Sequence, residues 1–147
     1  MTDAYADELH AEDVEVGDTG PEVVVEDLER KDFVKYAGAS GDFNPVHYSE
    51  PYAHATGSRS VFGQGMLTAG YAAHFVADWF GLANVSSFRV RFEEQLWPGD
   101  TVTASGEVTA VDEDGGDTAT VEADIAVENE AGTRLVSGDC AARLPLE

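Results

Sequence analysis

Residues 66–80, MLTAGYAAHFVADWF, decide the fold. Apolar or small residues fall on nearly every side of a helix drawn through them, and such a helix is normally buried all round, as when a sheet wraps it. Gly81 supplies the C-terminal cap, so the segment predicts a helix from Met66 to Phe80. After it the period changes. SSFRVRF (86–92) puts Phe88, Val90 and Phe92 on one face, and VEADIAV (121–127) does the same with Val121, Ala123, Ile125 and Val127. Alternation of this kind is the signature of strands. TVTASGEVTAV (101–111) and RLVSGDCAARL (134–144) bring the number of long strands to about four. WPGD (97–100) reads as a bulge or tight bend and DEDGGD (112–117) as a hairpin turn. One central helix and a long antiparallel meander make an α+β domain in which the sheet curls around the helix.

Upstream, residues 1–11 are acidic and lack periodicity, which reads as a flexible tail, with the folded domain spanning 12–147. Turns at Gly17-Asp18 and Gly20-Pro21 precede a short strand, Val23 to Val25. Phe33, Val34, Tyr36 and Ala37 recur at helical spacing, so residues 29–39 predict an amphipathic helix that Gly38 and Gly41 fray or end. Ser49 reads as the N-cap of a second short helix, with Pro51 in its first turn and Gly57 as its stop. Between these two helices lies SGDFNPVHYSE (40–50).

At 147 residues the chain is the size of one domain. Its net charge of −21, from 29 acidic and 8 basic residues, leaves no basic stripe for nucleic acid. Acidic residues spread along the whole chain predict a surface adapted to concentrated salt, where screening over roughly 3 Å at 1 M suppresses self-repulsion. A single cysteine, Cys140, excludes an internal disulfide, and its alternating neighbours predict a buried thiol. The N-terminal stretch MTDAYADELH has neither a basic n-region nor an apolar h-region and no apolar run is long enough to span a bilayer, so a soluble, cytoplasmic protein without membrane attachment is expected. No metal site is expected: His10, His54 and His74 have no partner cysteines at zinc spacing.

The chemistry is concentrated in GDFNPVH. Asp42 offers a base, His47 a second proton-transfer group, and Asn44 an amide that can orient one of them. Pro45 stiffens the loop and Gly41 allows a sharp reversal, so the carboxylate and imidazole can converge on one water molecule. The same residues can also be a plain Asx turn beside a surface histidine. The second ingredient is FGQGML (62–67), where a glycine loop meets the start of the long helix. Free N–H groups and the positive end of the dipole there favour a developing oxyanion, and Gly65 lets a carbonyl approach the backbone. Arg59, Arg89 and Arg91 are the clustered cations available for a phosphate, although Arg89 and Arg91 also alternate with apolar residues as outward positions of an ordinary strand do.

The run YAGASGDFNPVHYSEPYA (36–53) resembles the hydratase signature of the MaoC-like dehydratases, a family that includes (R)-specific enoyl-CoA hydratases and 3-hydroxyacyl-carrier-protein dehydratases. The resemblance continues through GQGMLTAGYA (63–72) and FRVRFEEQLWPGDTVTASGEV (88–108) and covers roughly residues 12–144. It implies a hotdog fold, usually paired with a second hotdog as a homodimer or higher oligomer. It implies that Asp42 and His47 are the catalytic pair, that Asn44 supports their loop, and that the Gly65 amide holds the thioester oxygen. The implied reaction is reversible hydration of a trans-2-enoyl-CoA to the (R)-3-hydroxyacyl-CoA, with an acyl-CoA thioester as substrate and no cofactor. Carrier-protein dehydration, thioester hydrolysis on the same fold, and a non-catalytic partner subunit are the alternatives. Two positions depart from the family: Gln64 stands where His is usual before Gly-Met-Leu, its amide still able to donate a hydrogen bond, and Ala72 and Ala73 stand where some short-chain hydratases carry serine.

Overall fold

The computed structural model describes residues 8–147. Strand β1 (Val23–Val25) and helices α1 (Arg30–Ser40), α2 (Glu50–Ala55) and α3 (Gly65–Phe80) precede strands β2 (Val85–Phe92), β3 (Val102–Glu113), β4 (Thr118–Asn129) and β5 (Arg134–Pro145). The five strands form one antiparallel sheet in the order β1-β3-β4-β5-β2. This is the hotdog arrangement the resemblance implies, with α3 against the sheet's inner face.

Alternation in the strands sets the inner face. Val121, Ala123, Ile125 and Val127 of β4 are buried, as expected, and meet Phe75, Val76 and Phe80 of α3 in a continuous core. Burying each such phenylalanine contributes about 1.5–3 kcal/mol relative to leaving it in water. Register shifts between Val108 and Ala110 and between Val127 and Glu128 bend the long strands. Gly106 permits a close approach of strand to helix: a Cβ there would lie 2.7 Å from the Asp124 carbonyl oxygen and 2.9 Å from the Phe75 ring.

The helices before α3 follow their sequence signals. Glu29 caps α1 with Asp32 as its reciprocal partner, and α1 buries Phe33 and Ala37 while Val34 faces out. Gly38 does not fray it; α1 runs to Ser40 and ends at Gly41, whose φ of 79° is a left-handed cap. The Ser49 hydroxyl accepts the Tyr52 N–H at the start of α2.

Three expectations change. Helix α3 is not buried all round. Thr68, Ala69, Ala72, Phe75, Val76 and Phe80 face the sheet, whereas Met66 is 60% exposed and Gly70, Ala73 and His74 are open. His74 therefore has no interior role; its Nε2 lies 3.0 Å from Asp78 one turn on. Strand β2 does not bury the Phe88–Val90–Phe92 face, because it is a sheet edge with β5 as its one neighbour. Phe88 is 37% exposed and Phe92 52%, and Val90 alone packs partly against the core. The packed unit also begins before residue 12: Ala11 is buried in a 3-10 turn and Leu9 packs on the core, while residues 1–7 of the expected tail lie outside the described residues.

Candidate active site

The loop from Gly41 to Ser49 spends its polar side chains on itself. The Ser40 hydroxyl donates to the Tyr36 carbonyl at 2.8 Å and accepts the Asp42 N–H at 3.1 Å. Asp42 Oδ1 accepts the Asn44 N–H at 3.3 Å, and Asn44 Oδ1 accepts the Val46 N–H at 3.2 Å, capping the 3-10 turn Pro45–His47. Asn44 thus supports the loop through two consecutive Asx turns. The Tyr48 hydroxyl donates to the Phe43 carbonyl at 3.2 Å and closes the bend.

These bonds leave Asp42 Oδ2 facing the imidazole. His47 Nε2 lies 3.6 Å from it, too long for a direct hydrogen bond and the right span for one water-sized group to touch both. Asp42 is half exposed; His47 is only 7% exposed. His47 Nδ1 lies 2.7 Å from the Phe62 carbonyl oxygen. A carbonyl can only accept, so Nδ1 keeps its proton and Nε2 is the nitrogen that gains or loses one. The Phe62 ring meets the imidazole edge-on, with centroids 5.3 Å apart.

Phe62 belongs to a segment anchored residue by residue. The Val61 N–H reaches Glu50 Oε1 of α2 at 3.4 Å and the Phe62 N–H donates to the Val46 carbonyl at 3.3 Å. The Gly63 N–H donates to the Leu96 carbonyl at 2.8 Å, and Gln64 Nε2 donates to the Phe33 carbonyl of α1, also at 2.8 Å. Gln64 is 1% exposed and gives one hydrogen of its amide to α1, so it braces the start of α3 from a buried position; its Oε1 has no partner among the described residues. Glu50, which the sequence marks only as a helix-start residue, joins Arg30 at 2.7 Å, Ser60 and Val61. Partial burial opposes ionisation of its carboxyl, but the Val61 N–H, Ser60 and Arg30 outweigh that and hold it below the ordinary carboxylate range.

Gly65 follows this strap as the first residue of α3. Among the described residues, neither its N–H nor that of Met66 has a backbone or side-chain acceptor. The Phe92 ring lies across it, so that a Cβ at position 65 would meet that ring at 3.2 Å. Phe62, Gly65, Thr68, Phe92, Leu96 and Val136 line a cavity of about 320 Å³. Asp42 and His47 are not in its lining; Phe62 is the shared wall, facing His47 on one side and the cavity on the other.

The three candidate arginines do not cluster. Arg59 stacks on the Trp97 indole, its guanidinium carbon 3.9 Å from the ring centroid, beside Phe62. Arg89 and Arg91 point outward from β2 into a broad groove on the sheet's outer face, where Arg89 pairs with Asp139 of β5 at 3.0 Å. Sequence spacing could not separate them, because the 29 residues between Arg59 and Arg89 include all of α3. Cys140 is buried in β5, and burial, followed by the neighbouring Asp139 charge, pushes its thiol up from 9.0 to about 11, which suits a core residue and not a nucleophile.

Residues 13–131 match the family described as "MaoC like domain". The chain is 30% identical over 112 residues to the (R)-specific enoyl-CoA hydratase of Rhodospirillum rubrum, covering 72% of this chain and 76% of that one. It is 38% identical over 81 residues to the 3-oxo-4,17-pregnadiene-20-carboxyl-CoA hydratase beta subunit of Mycobacterium tuberculosis, covering 54% of this chain. That match spans 63% of the mycobacterial subunit, and a match to the mouse peroxisomal multifunctional enzyme type 2 spans 12% of that much longer protein. Among solved structures, the unliganded R-hydratase PhaJ1 of Pseudomonas aeruginosa superposes with a TM-score of 0.81 at 25% identity, covering 95% of this chain and 88% of that one.

Proposed function

Because the chain belongs to the MaoC-like domain family, we propose that it adds water reversibly to a trans-2-enoyl-CoA to give the (R)-3-hydroxyacyl-CoA. The observation that carries this reading is the pairing of Asp42 with His47 across 3.6 Å, with Nδ1 committed to the Phe62 carbonyl. In this scheme the Asp42 carboxylate takes a proton from a water held between the pair as the water oxygen bonds to C3. The C2=C3 electrons move toward the thioester, whose oxygen becomes enolate-like at the Gly65 N–H, a contact worth on the order of 3 kcal/mol for one oxyanion donor. Protonated His47 then gives its Nε2 proton to C2, and the proton on Asp42 passes across the gap to restore the imidazolium. Acid and base stand side by side, so hydroxyl and hydrogen arrive on one face of the double bond.

CoA is favoured over an acyl carrier protein because a chain with a net charge of −21 repels an acidic carrier at low salt. The free edge of β2, with Phe88 and Phe92 open, supports pairing with a second copy of the chain. Among the described residues no helix is long and apolar enough to cross a membrane. The test is hydration of crotonyl-CoA at high salt by wild type, Asp42→Asn and His47→Asn. Each substitution is expected to lower kcat on the order of 100-fold or more with the fold intact by circular dichroism. Wild-type rates in both variants would overturn the assignment, and release of free thiol in place of hydration would turn it toward hydrolysis.

A further inference from the structure

We propose that Arg59, held against Trp97, takes the phosphates at the nucleotide end of a CoA thioester and so makes the site select CoA over thioesters that lack the nucleotide. This inference rests on the hydration reading and concerns the outer end of the same site.

Position is the first support. Ser58, Arg59, Phe62, Gln95 and Trp97 line an open cleft of about 480 Å³. A run of contacts links the proposed catalytic imidazole, itself outside the lining, to this cleft. His47 meets Phe62 at 5.3 Å, Phe62 meets Trp97 edge-on at 6.0 Å, and Trp97 carries the Arg59 guanidinium at 3.9 Å. Laid end to end, these steps put Arg59 no farther from His47 than the roughly 15 Å that a pantetheine arm of a dozen bonds spans when extended, on amide bond dimensions. A thioester placed beside His47 is therefore long enough to bring its diphosphate to Arg59.

Charge is the second. Arg30, Arg89 and Arg134 each have a carboxylate within reach, at 2.7, 3.0 and 3.5 Å respectively. Arg59, like Arg91 and Arg143, has none within 4 Å among the described residues, in a chain of net charge −21. Of the nearby carboxylates, Asp100 feels the Arg59 charge without contacting it and accepts the Trp97 N–H at 2.9 Å, which fixes the turn presenting the indole, and Glu50 is taken up by Arg30, Ser60 and Val61. Stacking on an indole orients a guanidinium without neutralising it, and leaves its edge N–H donors free for the bidentate contacts phosphate accepts.

The experiment compares wild type, Arg59→Gln and Arg59→Lys on crotonyl-CoA and crotonyl-pantetheine at low and high salt. Arg59→Gln is expected to reduce the kcat/KM preference for the CoA thioester about tenfold at low salt, the size of one partly screened hydrogen bond to a charged group. Arg59→Lys should recover part of it, and salt should shrink the difference. Adenosine 3′,5′-bisphosphate, titrated by calorimetry, should bind wild type more tightly than Arg59→Gln. An unchanged preference together with equal binding of the bisphosphate would overturn the role of Arg59. If wild type hydrates neither thioester, the hydration reading fails, and the calorimetry still decides whether Arg59 holds phosphate.

Discussion

Two segments flank α3 in the chain and are held in opposite ways. Val61–Gln64, just before it, has each residue tied to a different part of the molecule: α2, the 3-10 turn, the Leu96 segment and α1. Strand β2, just after it, has one neighbouring strand and two half-open phenylalanines. The contrast separates what one chain fixes by itself from what it leaves uncovered. The strap sets two things at once, the carbonyl that holds His47 and the orientation of the free Gly65 N–H. Preorganisation of that kind is what an oxyanion donor needs, since donors that must reorient during reaction contribute little. The β2 edge and the outer face of α3 require no such precision, and there the chain presents apolar surface to its surroundings.

Three substitutions break or sharpen this contrast. The largest effect belongs to the strap: Gln64→Ala removes a buried 2.8 Å hydrogen bond and leaves a gap beside Phe33, and should cost about 2–4 kcal/mol in urea unfolding at fixed salt. A loss below about 0.5 kcal/mol, typical of surface sites, would show that the strap is not anchored there. Next comes the edge. If β2 pairs with a second copy, Phe88→Asp should weaken self-association at least tenfold by light scattering across a dilution series, with monomer stability little changed. An unaltered mass would move the contact elsewhere. The last effect falls in the core and shows only at high pH. The Cys140 thiol titrates near 9.0 when unfolded and near 11 when folded, so the folded state holds the extra proton between those values. Stability should therefore fall as pH rises from about 9 to about 11, and Cys140→Val should flatten that part of the profile relative to wild type.

The same contrast explains how much could be read in advance. The order of elements, the existence of the long helix α3 and the Asp42–Asn44–His47 loop were legible, because each depends on periodicity or on neighbours within a few residues. The roles of Phe62 and Glu50 were not. Phe62 acts through a backbone carbonyl that any residue would supply, and Glu50 gains its partners from Arg30 and from Ser60 and Val61, which adjoin it only after folding. The brace that Gln64 makes was equally hidden, since the carbonyl it donates to lies 31 positions away. The exposed side of α3 misled for a related reason. An apolar pattern records a surface that tolerates burial, and a single copy of this sheet covers only the face from Thr68 to Phe80.

The most direct test of the Asp42–His47 pair is the stereochemistry of the product formed from crotonyl-CoA in deuterium oxide. Hydroxyl at C3 in the R configuration, with deuterium at C2 delivered to the same face, is the expected result. Anti addition, or an S alcohol, would contradict a mechanism in which one carboxylate and one imidazole act from the same side of the double bond.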